Sequence, residues 1–96
     1  MGMMMDPCHP GEILKSEFLK PLGVSAIGLA KVTGVPRTRI ERLVKEQTRV
    51  SPDTALRLSK ALGTTPEFWI NIQANFDMAS ARKTVDVSDI EPLIVA

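Results

Sequence analysis

Residues 25–49 read SAIGLAKVTGVPRTRIERLVKEQTR, and this stretch decides the fold because it encodes two short helices joined by a tight turn. Ser25 is an N-cap residue, and Ile27, Leu29, Ala30 and Val32 are expected to give the first helix its apolar side. Gly34 stands where that helix must stop and reverse, since glycine takes a positive φ without steric cost. Pro36 then opens the second helix. Ala30 is the small residue that a close crossing of two helices requires, and Ile40 and Leu43 follow as buried anchors. A small residue, a glycine and two apolar anchors at these spacings form the pattern of a helix-turn-helix.

The second helix indicates what such a unit handles. Advancing about 100° per residue from Ile40 brings Leu43 and Val44 alongside it, while Thr38, Arg42, Lys45 and Arg49 are expected on the opposite side. Between Lys31 and Arg49 there are six basic residues (Lys31, Arg37, Arg39, Arg42, Lys45, Arg49) and two acids (Glu41, Glu46), an excess of four. The whole chain carries only +1. A nearly neutral chain that concentrates positive charge on one helix face carries the electrostatic footprint of a phosphate-backbone partner.

Ninety-six residues, 44% of them hydrophobic, suffice for one small helical core and leave no room for a second catalytic domain. Cys8 is the single cysteine, so no intramolecular disulfide can form and a reducing compartment is expected. No apolar run approaches the ~20 residues of a membrane span and no signal peptide is legible, so a soluble, cytoplasmic chain is expected. Residues 1–8, beginning MGMMMD, are read as a disordered or vector-derived start. One histidine, no metal-ligand spacing, no phosphate-cradling glycine loop and no nucleophile elbow argue against an enzyme, a cofactor or a metal site. His9 is read as a helix cap or a partner of Glu12, and Cys8 as an inert thiol.

Taken in order, His9-Pro10-Gly11-Glu12 leads into Ile13, Leu14, Phe18 and Leu19 at helical spacing, giving a first helix over about residues 10–20. The two helices of the central unit follow at about 26–32 and 36–46. Ser51-Pro52-Asp53 is an N-cap, an N1 proline and an acid in the first turn, and Gly63 stops that helix after Ala55, Leu58 and Leu62. Either Thr64 or Thr65 can cap the last helix, and Thr64 with Glu67 fits a capping box. Phe68, Trp69, Ile72, Phe76 and Ala79 carry it to about Ala81. Thr84 to Ser88 alternates apolar and polar residues over a span too short for an unpartnered strand, and Pro92 interrupts the apolar end. An all-α domain over residues 9–83, with its helix-turn-helix at about 25–46, is expected. Residues 84–96 are expected to form an extended tail, a candidate dimer or toxin contact.

The combination of residues resembles the HigA family of antitoxins, within the Xre or Cro/C1-type helix-turn-helix class. His9-Pro10-Gly11-Glu12 with Leu14 is similar to the family's opening HPGE motif, and Ala30, Gly34, Ile40 and Leu43 to its helix-turn-helix core. Ser51-Pro52, Ala55, Leu58, Leu62-Gly63 and the W-x-x-x-Q pair Trp69 and Gln73 resemble its second half. The resemblance covers about residues 9–90. It implies a five-helix, lambda-repressor-like domain that dimerises, binds the operator of its own operon and neutralises a HigB-type ribonuclease toxin. Two positions depart from the family: Glu46-Gln47-Thr48-Arg49 stands where a glycine commonly follows the recognition helix, and Gly28 replaces a larger polar residue.

In this geometry the N-terminal end and outer face of the second helix enter the major groove, while Ser25 and Ala26 offer helix-start amides to a phosphate. Arg37, Thr38 and Arg42 are the candidates for base edges, Lys45 and Arg49 for the backbone, and Arg39 is a further candidate DNA contact. One recognition helix reads one half-site, so a palindromic operator and a homodimer are expected. The interface candidates are the last helix and the tail from Val85 to Val95. Two other functions compete with the antitoxin: a stand-alone Xre-type regulator without a toxin, and a protein-interaction module whose basic face is incidental.

Overall fold

The computed structural model describes residues 7–94, so the Met-rich start before residue 7 and the end of the apolar tail at Val95 lie outside the described residues. Among the described residues there are five helices and no strand: α1 (residues 10–22), α2 (Ala26–Thr33), α3 (Arg37–Val44), α4 (Pro52–Leu62) and α5 (Pro66–Thr84). Among these described residues no helix is long and apolar enough to cross a membrane.

α1 begins as expected but changes winding. Pro10–Ile13 and Lys20–Leu22 are α-helical, while Leu14–Leu19 is a π segment closed by the Lys20 N–H donating to the Lys15 carbonyl. Bonding five residues back brings Leu14 and Leu19 onto nearly the same side, and both are buried. At its start, His9 Nδ1 accepts a hydrogen bond from the Gly11 N–H at 2.9 Å. His9 is therefore the N-cap, and its buried ring stands edge-on to Phe76 at 4.9 Å instead of pairing with Glu12.

Gly11 explains the rest of the opening motif. α1 crosses the end of α3 so closely that a Cβ on Gly11 would collide with the Leu43 carbonyl. The motif thus locks the first helix against the back of the third. α2 and α3 pack across the turn at Gly34, which takes φ 73° as the reversal requires. Leu29, Ala30 and Thr33 face inward from α2, whereas Ile27 and Val32 are exposed, contrary to the apolar side expected of them. Thr33 lies one turn beyond Leu29, and its hydroxyl donates to the Leu29 carbonyl at 2.8 Å, so it occupies the inward position without an unpaired group.

Around this frame Leu14, Leu19, Leu29, Ala30, Val35, Ile40, Leu43, Val50, Ala55, Leu58 and Trp69 form one core. Ser51 caps α4 through the Thr54 N–H and Gly63 ends it in the left-handed conformation. Thr65 caps α5, accepting from the Phe68 N–H at 3.1 Å. Thr64 Oγ1 instead accepts from Trp69 Nε1 at 2.8 Å, which satisfies the indole nitrogen of the buried ring and leaves no capping box with Glu67. α5 runs three residues past the expected end. Beyond it Val85, Val87, Ile90, Leu93 and Ile94 are exposed, so the tail does not fold back onto the core.

Candidate nucleic-acid interface

α3 presents two chemically opposite faces. Ile40 and Leu43 are buried, Val44 is half-buried, and Thr38, Arg42 and Lys45 are exposed. No described residue forms an ion pair with Arg42 or Lys45. Their donors therefore stand in solvent, held out by a helix whose opposite side is fixed in the core. Pro36, Thr38, Arg39, Arg42 and Thr48 line a shallow depression of about 250 Å³ on this surface. Thr48, from the connector after α3, is a member that the sequence pattern does not identify.

The other candidates are placed less freely. Arg37 opens α3 and its Nε donates to Glu41 Oε2 at 3.0 Å. Arg39 Nη1 lies 3.9 Å from Asp53 Oδ1 at the start of α4. Arg49 is not on the α3 face at all, because the helix ends at Val44. It belongs to the connector, where its Nη2 donates to Asp77 Oδ2 of α5 at 2.7 Å. The helical projection placed it with Arg42 only because it extended α3 beyond its true end.

That end is set by Glu46. The Glu46 N–H donates to the Leu43 carbonyl at 2.9 Å and the Gln47 N–H to the Arg42 carbonyl at 2.8 Å, the paired bonds of a Schellman ending. Glu46 adopts φ 62°, a left-handed conformation that favours glycine, so the helix stops where a glycine would stop it. The connector beyond is latched to α5. Gln73 Oε1 accepts from the buried Val50 N–H at 2.8 Å, and its Nε2 donates to Asp77 Oδ1 at 3.0 Å. This gives the W-x-x-x-Q pair its physical meaning: Trp69 fills the core and Gln73, one turn on, holds the connector. The Asp77 carboxyl is kept below its ordinary pKa chiefly by the Arg49 hydrogen bond, partial desolvation opposing it.

At the start of α2, Ser25 Oγ accepts from the Gly28 N–H at 3.0 Å. The Ala26 and Ile27 amides in the first turn have no intrahelical acceptor and remain available to an anion. Lys15 and Lys20 of α1 share a shallow depression with Ser25 and Ala26, adding basic groups beside those amides. Cys8 next to His9 does not resemble an activated nucleophile. Desolvation, followed by the Glu12 carboxylate, pushes the thiol pKa up, and the His9 Nδ1 is engaged in capping. No group of His, Cys, Asp or Glu among the described residues could hold a metal ion.

The helix-turn-helix family matches residues 16–69, more than half of the chain. Over 92 residues, 94% of this chain and 87% of the other, it is 38% identical to antitoxin HigA-1 of Vibrio cholerae. The chain belongs to the HigA antitoxin family. It is also 44% identical over 79 residues, 82% of this chain and 73% of the other, to virulence-associated protein I of Dichelobacter nodosus. The solved structure of antitoxin GraA in complex with its operator superposes with a TM-score of 0.87 at 41% identity, covering 99% of both chains. In this HigA-family member the helix-turn-helix therefore carries the exposed donors described above on a backbone shared with an operator-bound protein.

Proposed function

We propose that this chain is a HigA-type antitoxin that binds the operator of its own operon as a homodimer and neutralises a HigB-type ribonuclease. The observation that carries the reading is the outward face of α3, where Thr38, Arg42 and Lys45 are exposed while Ile40 and Leu43 anchor the helix from behind. The likeness to GraA, solved in complex with its operator, supports operator binding. Arg37, Thr38, Arg39 and Arg42 meet base edges in the major groove, Lys45 and Arg49 meet the sugar-phosphate backbone, and the helix start at Ser25 and Ala26, with its free Ala26 and Ile27 amides, takes a phosphate. Arg49 reaches a phosphate while remaining fixed by Asp77, which restricts its geometry. The reading assigns no catalytic role to any residue, and it places the protein in the cytoplasm with its operator and its toxin.

Residues 9–83 constitute the DNA-binding domain, and α5 with the tail from Val85 onward forms the dimer contact. The tail leaves five apolar residues exposed in a single copy, which a second copy would cover. A mobility-shift titration on the DNA upstream of the gene tests the reading. Binding should weaken steeply between 50 and 200 mM salt, by roughly 10³-fold or more if six or more phosphates are contacted. Replacing Arg42 with Ala should cost about 1–3 kcal/mol on the operator and relax preference at one base position. Equal weakening on every sequence would reduce Arg42 to a phosphate contact. Co-purification with the product of the adjacent reading frame, and loss of that product's RNA cleavage, tests the antitoxin half.

A further inference from the structure

Asp53 connects three elements. Arg57, one turn along α4, donates from Nε to Asp53 Oδ1 at 2.8 Å and from Nη1 to the Thr33 carbonyl at the end of α2 at 2.9 Å. The guanidinium also passes beside the turn, since a Cβ on Gly34 would stand 3.1 Å from Arg57 Nη1. Asp53 is thus tied through Arg57 to the backbone of the helix-turn-helix itself. The same Oδ1 lies 3.9 Å from Arg39 Nη1 at the edge of the depression shared by Thr38, Arg42 and Thr48. The Arg37–Glu41 pair differs, because both members stand on one helix turn and, among the described residues, neither side chain is tied to another element.

We propose that Asp53 is a positioning residue that sets sequence specificity by aiming Arg39 and withholding it from indiscriminate phosphate contact; this rests on the DNA-binding reading above. An arginine on an exposed helix face has many rotamers and can neutralise any phosphate within reach. A carboxylate held beside it by a second, backbone-anchored arginine narrows those rotamers. The carboxylate also repels a phosphate that approaches without a compensating base contact. On the correct sequence Arg39 gains a bidentate partner such as guanine O6 and N7, which offsets the weakened pairing. On other sequences nothing replaces it. Arg57 acts on specificity only through Asp53, and Gly34 acts through the space that it leaves for Arg57.

The test compares affinity for the footprinted operator and for a scrambled duplex of equal length, across a salt series, in the full chain. Asp53→Asn should bind the scrambled duplex more tightly and lower the operator-to-scrambled ratio about tenfold, the scale of one base-pair position. Its salt slope on scrambled DNA should steepen by about one, the count for one arginine released to phosphate. Asp53→Glu, which restores the charge, should stay within twofold of the wild-type ratio. In an Arg39→Ala background the Asn substitution should leave the ratio unchanged. Thermal unfolding of each variant confirms a folded protein, because Asp53 also lies in the first turn of α4. A wild type that binds its operator with an Asp53→Asn ratio within twofold of its own overturns this role alone. So does an equal fall of the ratio in the Arg39→Ala background. A wild type that binds no upstream DNA overturns the DNA-binding reading and this role together.

Discussion

Glu46 holds a backbone angle, φ 62°, that costs an L-residue roughly 1–2 kcal/mol. The Schellman bonds from Glu46 and Gln47 hold it there, because abandoning them would leave carbonyls at the end of α3 unpaired. A glycine relieves the strain but increases the freedom of the unfolded chain by about 0.5–1 kcal/mol, so the two effects partly cancel. Glu46→Gly should therefore stabilise the fold by about 0.5–1 kcal/mol and raise the unfolding midpoint by a few degrees. An unchanged or lower midpoint in a thermal melt would show that the left-handed position is not strained. The other departure from the family has no comparable cause. A Cβ on Gly28 would meet Ser25 Oγ and a Val24 methyl at 3.4 Å, ordinary contact, so packing does not demand glycine there. At single-residue scale the sequence displays its caps and turn glycines openly. Ser25, Ser51, Gly34 and Gly63 all perform the roles that their chemistry suggests, because those roles depend on neighbours within a few positions. Val32 turns outward for the opposite reason: which apolar residue faces inward depends on the phase imposed by α4 and α3, not on hydrophobicity alone.

The connector between α3 and α4 is the element whose geometry most affects the site, and its supports come from 23 and 28 residues away. Neither the Gln73–Val50 bond nor the Arg49–Asp77 pair follows from local pattern, which is why the connector's docking on α5 and the true place of Arg49 were not legible. The π segment of α1 is similarly silent, since nothing in LKSEFL marks a change of winding. Gln73→Ala should leave the buried Val50 N–H without an acceptor and cost about 1–3 kcal/mol, measured by denaturant unfolding. A cost below about 0.5 kcal/mol would mean that water replaces the glutamine. Asp77 adds a pH dependence. Its folded pKa lies below the unfolded value of 3.8, so its contribution is present above that value and is lost as pH falls through the lower folded pKa. The carboxylate is 38% exposed, which limits the contribution to about 1 kcal/mol at most. Asp77→Asn should flatten that part of the acid-unfolding curve while leaving the curve's shape above pH 5 as in wild type. An unaltered slope below pH 4 would show that the pair with Arg49 is not maintained in solution.

For the molecule as a whole, the radius of gyration is 16.4 Å, whereas a compact chain of this length has about 12–13 Å. α5, at 19 residues, is about 28 Å long against about 16 Å for the 11-residue α4 that it packs on, so its last turns project beyond the core. The tail that follows adds Asp86, Asp89 and Glu91 with five exposed apolar residues. Asp86 accepts from the Ser88 N–H at 2.9 Å and Ile90 donates to the Val87 carbonyl at 3.0 Å. These local turns break the extended alternation, so no strand forms in one copy. None of the described tail residues belongs to the core cluster. Deleting everything after Lys83 should therefore leave the domain folded with an unfolding midpoint close to wild type. It should also turn a dimer into a monomer by light scattering. Two half-sites about 34 Å apart are read together only by a dimer. The truncated chain should then lose most operator affinity while keeping its weak, salt-sensitive binding to any duplex, since α3 and its donors are untouched. A truncated chain that stays dimeric would move the interface back onto α5 or another helix. A monomer that keeps wild-type operator affinity would break the link between dimerisation and recognition.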